Sequence, residues 1–185
     1  MTLTYPEVSI QNAISPTEWW VKDPQKAYCR GRLIYAFLPH VQQIPYKAIP
    51  VSREKPTEHR TCTLKIEPLR IKAYHPNIAL PVAGMPLYEG EQWIFCRAKR
   101  RPALILSEGG TPIERKLRQG YPKYQTDPTI LVAPYYSTRS TGKRAGLSDA
   151  FVLRIRQCYY PQYVWDTLPM PGGEESILRL DHIQP

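Results

Sequence analysis

Arg101 is followed by Pro102 at the start of the apolar run Ala103-Leu104-Ile105-Leu106. A proline disfavours helical backbone in the residue before it, so the pair predicts an arginine held extended at the mouth of a strand. From there its permanently charged, forked guanidinium could meet a phosphate through two parallel hydrogen bonds. Ser137 and Thr138 close the later run Thr129-Ile130-Leu131-Val132-Ala133-Pro134-Tyr135-Tyr136 and could offer a hydroxyl to the same anion. The same residues also suit a plainer arrangement, in which Arg101 is a rim cation with its stem packed on Tyr135 or Tyr136.

Three basic clusters surround these positions. Arg97, Lys99, Arg100 and Arg101 form the first, Arg115, Lys116 and Arg118 the second, and Arg139, Lys143 and Arg144 the third. With 25 Lys and Arg against 16 Asp and Glu, the formal charge is +9, which fits a polyanionic partner, either nucleic acid or an acidic protein. A solvated basic rim is the bland alternative. Tyr135, Tyr136, Tyr159, Tyr160 and Tyr163 could stack single-stranded bases, at about 1–3 kcal/mol per base, or pack in a core or a dimer contact. The four histidines are scattered, and Gly109-Gly110 is a lone pair before a predicted helix. No nucleophilic triad, metal cluster or phosphate-cradling loop emerges, so no metal or cofactor is expected. His182 beside Asp181 has acid-base potential, yet a histidine at a strand end more often serves structure. Glu174 and Glu175, adjacent in a Gly-rich turn, read as solvated. Cys29, Cys62, Cys96 and Cys158 are widely spaced with no CxxC pair, which predicts reduced, buried thiols.

The elements that must position these residues read as short strands. A 42% hydrophobic chain of 185 residues with thirteen Tyr and four Trp has the apolar surface to fold around a single core. Its twenty prolines, about twice the ordinary usage, disfavour long helices. Residues 1–27 lack a sustained period and read as an arm docked by Trp19-Trp20. Strands are predicted over 28–38, 61–67, 92–96, 103–107, 129–136, 150–158 and 176–183. In the first, Leu33, Tyr35 and Phe37 form one strongly apolar face. The stretch 44–60, rich in Pro and charge, reads as a loop, and 75–86 as a Pro-punctuated connection. Thr111-Pro112-Ile113-Glu114 carries an N-cap, a first-turn proline and a box-closing glutamate, which predicts a two-turn helix ended by Gly120 and Pro122. No charged head with an apolar core opens the chain, and no run approaches the roughly 18 apolar residues of a membrane span, so a cytoplasmic address without membrane contact is the expectation.

Four strings in order carry a resemblance: Arg101-Pro102-Ala103-Leu104-Ile105-Leu106-Ser107; Val132-Ala133-Pro134-Tyr135-Tyr136-Ser137-Thr138, about thirty residues on; AFVLRI at 150–155; and SILRLDHIQP at 176–185. Over roughly 87–185 the chain resembles the MazF/PemK toxin family. The resemblance implies a mainly β fold, a small SH3-like β-barrel of the MazF/PemK/CcdB kind with few short helices. Residues 1–27 would be an arm and 28–86 a β-rich extension packed on the barrel. It further implies a homodimer that cleaves single-stranded RNA without a metal and is held in check by an acidic antitoxin. Attack by the ribose 2′-hydroxyl needs a base, stabilisation of charge on the phosphorus oxygens and an acid for the leaving oxygen. In that scheme Arg101 supplies stabilisation and Ser137 or Thr138 a hydrogen bond, while Arg97, Lys99, Arg100, Tyr136, Arg139, Lys143 and Arg144 bind the strand. The sequence departs from the family in two places. Only Arg97 to Arg100 separate the predicted strand 92–96 from the Arg-Pro pair, where the family has a long loop, and Tyr136 stands where the family has its second functional residue, a threonine. The second departure leaves open a barrel that only binds nucleic acid or protein.

Overall fold

The computed structural model describes residues 19–40, 43–55, 58, 61–70, 90–121, 123–140 and 146–185. It is mainly β, and the chain divides into two compact units, Met1–Leu38 with Arg100–Pro185, and Pro39–Lys99. The predicted connection 75–86 lies outside the described residues. Among the described residues neither of the two sheets closes into a barrel.

The first unit is built on β1 (Leu33–Pro39), β5 (Ala98–Ser107), β6 (Leu131–Ser137), β7 (Tyr163–Thr167) and β8 (Glu175–Arg179), in the order β1-β5-β6-β8-β7. In β6 the ladder changes partner at a proline. β5 pairs with β6 as far as Ala103–Pro134, and β8 takes over from Tyr135–Leu178. Pro134 has no N–H to give, so it fits the handover. From Arg100 to Leu106 the residues of β5 alternate, with Arg101, Ala103 and Ile105 buried on one face. Leu38, Ala103, Ile105 and Val132 form a core there, flanked by Ile34 and Ala36. The opposite face gathers Ala133, Tyr135, Leu168 and Leu178, packed by Trp20, Leu33, Leu104 and Met170. The expected apolar face of β1 is therefore corrected: Ile34, Ala36 and Leu38 pack inward, while Tyr35 and Phe37 are exposed.

The run read as a strand at 150–158 is helix α2, Asp149–Arg156. Ser148 caps it by accepting from the Phe151 amide at 3.4 Å, Asp149 lies in the first turn, and Arg154 and Arg156 lie in the last. Its Val152 and Ile155 join Trp165 and Ile177 in a third cluster on the Arg101 face. A short apolar run fits both periods, and the Ser-Asp start decides between them. The helix expected after Thr111 shrinks to one 3-10 turn, Arg115–Leu117, with no buried residue. Without an apolar stripe to bury, two turns do not hold; Gln119 and Gly120 then both take left-handed backbone, at φ 47° and 87°. A separate single turn, α1, spans Lys123–Thr126.

The second unit is a three-stranded sheet, order β3-β2-β4, from β2 (Tyr46–Arg53), β3 (Cys62–Pro68) and β4 (Trp93–Phe95). β2 occupies the stretch read as a loop. Its Pro50 is buried where the register with β3 slips between Pro50 and Ser52, so a proline of that stretch sits at a bulge. The four thiols are free, but none is buried as expected: Cys29 and Cys62 are half-buried, and Cys96 and Cys158 are exposed.

If α2 docks through Ile155, Ile155→Ala costs about 2–5 kcal/mol in urea unfolding, while Leu153→Ala on its exposed side stays within about 0.5 kcal/mol. Equal losses at the two positions would contradict a helix packed by that face.

Candidate functional site

β5 and β6 place the predicted site residues on two different faces. Arg101 is only 7% exposed, and its guanidinium carbon lies 4.3 Å from the centre of the Tyr136 ring. Arg179 of β8 approaches the other members of the row, 5.6 Å from the Tyr136 centre and 4.7 Å from that of Tyr163. Cation and ring thus alternate across β5, β6, β8 and β7, between the two apolar clusters of that face. Arg101 is a buried cation lying over the Tyr136 ring, not an exposed one at a rim.

Behind the row stands His182, in a 3-10 turn spanning Leu180–His182. Its Nδ1 is 3.1 Å from the Tyr136 hydroxyl and its Nε2 2.8 Å from Arg179 Nη2. An arginine can only donate, so Nε2 accepts and the ring proton resides on Nδ1, facing the Tyr136 oxygen. Arg179 also forks onto Asp181, with its Nε and Nη2 at 2.7 and 2.6 Å from the two carboxylate oxygens. That fork holds the Asp181 carboxyl below its ordinary range. Burial, and then the neighbouring Arg179, push the His182 imidazole below its ordinary value, with Asp181 opposing and Arg101 adding to the shift. A backbone bridge between Val132 and Gln184 ties the segment that follows to β6.

The remaining candidates are dispersed. Strand alternation sends Ser137 to the face opposite Arg101, where its Oγ accepts from the Arg139 amide at 3.3 Å. Thr138 is buried, and its hydroxyl lies 3.4 Å from the Glu175 carbonyl and 3.5 Å from Glu175 Oε2. Glu175, expected to be solvated, is instead paired with Arg156 at 2.7 Å, and Arg156 stacks on Trp165 at 4.4 Å. Thr138, Arg139, Arg156 and Glu175 line an open cleft of about 940 Å³ beside the first turn of α2. Its wall needs Gly146, because a Cβ there would meet Ser140 N at 2.6 Å and the Thr138 carbonyl at 2.8 Å. Arg100 and Arg139 are exposed, Arg97 and Lys99 belong to the Pro39–Lys99 unit, and Lys143 and Arg144 lie outside the described residues.

A different group forms on the Ser137 face. Arg100 lies with its guanidinium carbon 4.6 Å from the centre of the Tyr35 ring, and the Tyr35 hydroxyl reaches Met170 Sδ at 3.4 Å. Tyr35 is 49% and Phe37 73% exposed. The sequence flagged neither ring, because their period-2 spacing reads as core. Arg179 was overlooked too, since one arginine in a strand carries no local signal.

No protein family, curated protein or solved structure matches the chain. Among the described residues no helix is long and apolar enough to cross a membrane, and no His, Cys, Asp or Glu cluster could hold a metal.

The His182 environment sets a pH dependence. The folded imidazole titrates below the ordinary value of 6.5, so below that value the unfolded chain binds more protons and stability is lost as pH falls. Denaturant titrations between pH 7.5 and 5 should therefore show a shallower decline for His182→Gln than for the wild type. Superimposable profiles would contradict the assignment.

Proposed function

We propose that the protein binds single-stranded RNA on the sheet face that carries Tyr35, Phe37 and Arg100. The observation that carries this reading is the exposed Arg100–Tyr35 stack with Phe37 on the same edge strand. An exposed ring offers a base a stacking partner without regard to sequence, and an arginine already seated on that ring adds charge for the phosphate at little ordering cost. Formal charge of +9 supports a polyanionic ligand. The resemblance to MazF/PemK toxins points to RNA in particular, although one of its four strings, AFVLRI, falls in α2 rather than in a strand. The toxin reading adds a homodimer and an acidic antitoxin as partners, and a cytoplasmic site of action.

A second reading, cleavage of that RNA, is favoured by His182. A neutral imidazole beside Arg101, Arg179 and Tyr136 combines a proton acceptor with two cations able to stabilise a phosphorane. Against it, the Nε2 lone pair accepts from Arg179, and Arg101 is covered by Tyr136, so both would have to be uncovered before reaction. Binding is the reading that needs no rearrangement.

Fluorescence anisotropy with a labelled unstructured RNA tests both. Affinity should fall steeply with salt, each phosphate contact adding about 0.7 to the log–log slope. Tyr35→Ala and Phe37→Ala should each weaken binding by about 1–3 kcal/mol, and Arg100→Ala should also lower the slope. A flat salt response would favour a protein partner. Cleavage with chelator present, lost in Arg101→Ala and His182→Ala, would replace the binding reading with the second one.

A further inference from the structure

Strand β7 divides its side chains between the two faces: Trp165 points to α2, while Val164 and Asp166 belong to the other side. On that side β5 contributes Leu104, β6 Tyr135 and β8 Leu178, and the segment Trp19–Val21 crosses above them. They enclose a pocket of about 420 Å³. Its floor carries a carboxylate, since Asp166 is only 2% exposed. Asp166 Oδ1 accepts from Trp20 Nε1 at 3.3 Å, and Oδ2 from the Tyr135 hydroxyl at 2.9 Å. The Trp20 and Tyr135 rings meet edge to face, with centroids 6.5 Å apart. A second cleft of about 600 Å³ shares Trp20, Val21 and Gly31 with the first and adds Lys22, Arg30 and the ion pair of Asp23 with Arg32.

A carboxylate in an aromatic and aliphatic pocket is costly, and what it can recognise is narrow. It accepts hydrogen bonds through about four lone-pair sites and cannot donate. Of the four RNA bases, only guanine presents two adjacent donors on its pairing edge, N1–H and the exocyclic amine, spaced to meet two carboxylate oxygens. Adenine and cytosine each place an acceptor beside their amine, and uracil flanks its single donor with two carbonyls; each would set an acceptor against Asp166. A cationic ligand satisfies a carboxylate too, but Lys22 and Arg30 at the adjoining cleft, and a chain charge of +9, oppose it. The same two cations suit the phosphate of a nucleotide.

We propose that this pocket binds the guanine of a nucleotide, with its N1–H and amine on Asp166, its ring against Trp19 and Trp20, and its phosphate beside Lys22 and Arg30. The inference rests on the reading of the protein as an RNA binder and adds the base that it selects. The base displaces the long indole bond to Asp166, so Trp20 reports its arrival. Trp19, 46% exposed, covers the ring from the solvent side.

The test uses the full chain, tryptophan fluorescence with GMP and AMP, and anisotropy with an all-uridine octamer and the same octamer carrying one internal guanosine. GMP should change the fluorescence and bind at least about tenfold tighter than AMP, and the single guanosine should raise RNA affinity by a similar factor. Asp166→Asn, which puts a donor where an acceptor is needed, should abolish that preference, leaving GMP and AMP within about twofold of each other. Because Asp166 is buried, Trp19→Ala at an exposed position is the second variant; it should weaken GMP binding while circular dichroism stays unchanged. Equal affinity for GMP and AMP overturns the proposal, as does GMP binding that survives both variants. Salt-sensitive RNA binding with no preference for guanosine overturns the pocket and leaves the RNA reading standing. GMP binding without RNA binding supports the pocket as a site for a free nucleotide and overturns the RNA reading.

Discussion

The two-residue alternation of β5 decides where the charge of the basic segment goes. Arg101 shares a face with Ala103 and Ile105 and is buried with them, while Arg100 emerges on the other side beside Tyr35. Neighbours in sequence thereby acquire opposite roles. Arg101 enters a row in which cations and tyrosines alternate, with its guanidinium over the Tyr136 ring. A one-residue slip in β5 would exchange the two arginines, exposing the packed cation and burying the exposed one. The pairing of β5 with β6 and the prolines at Pro102 and Pro134 hold that register where the ladder passes to β8.

Each face holds one titratable group between two hydrogen-bonding neighbours. His182 stands between Tyr136 and Arg179, and Asp166 between Trp20 and Tyr135. Burial pushes the Tyr135 phenol upward, and the Asp166 carboxylate adds to the shift, so Tyr135 stays a donor throughout the physiological range. Such networks specify one arrangement of strands, since a displaced strand leaves charges without acceptors. Around Tyr136 the His182 face is filled by packing, whereas the Asp166 face retains a pocket and exposed rings.

How much of this was legible in the sequence depended on whether the signal was local. The strand after Arg101-Pro102 and the strand ending at Tyr136-Ser137 follow from period and proline restriction, and both exist, the second close to its expected bounds and the first already beginning at Ala98, ahead of the proline. The mainly β character followed from the same signals. α2 was misread because Phe151, Leu153 and Ile155 alternate as a strand would, while the deciding signal was the Ser148-Asp149 cap. β2 is hidden because a stretch rich in Pro and charge reads as a loop, whereas its Pro50 sits at a bulge in the ladder. The faces were harder still: Tyr35 and Phe37 look like core in sequence, and nothing near Asp166 announces that Trp20, 146 residues away, will bond to it. Ser137 and Arg101, joined by reasoning from chemistry, were parted by strand parity.

The proposed binding places nucleic acid on the face of the five-stranded sheet that carries Tyr35 and Trp20, while Tyr136 and Tyr163 on the other face stay packed under their arginines. Ultraviolet crosslinking of the full chain to a 4-thiouridine-containing single strand, followed by mass mapping of the adducted peptides, tests it directly. Adducts are expected at Tyr35, Phe37, Trp19 or Trp20; adducts concentrated instead at Tyr136 and Tyr163 would put the strand on the opposite face and overturn the proposed binding site.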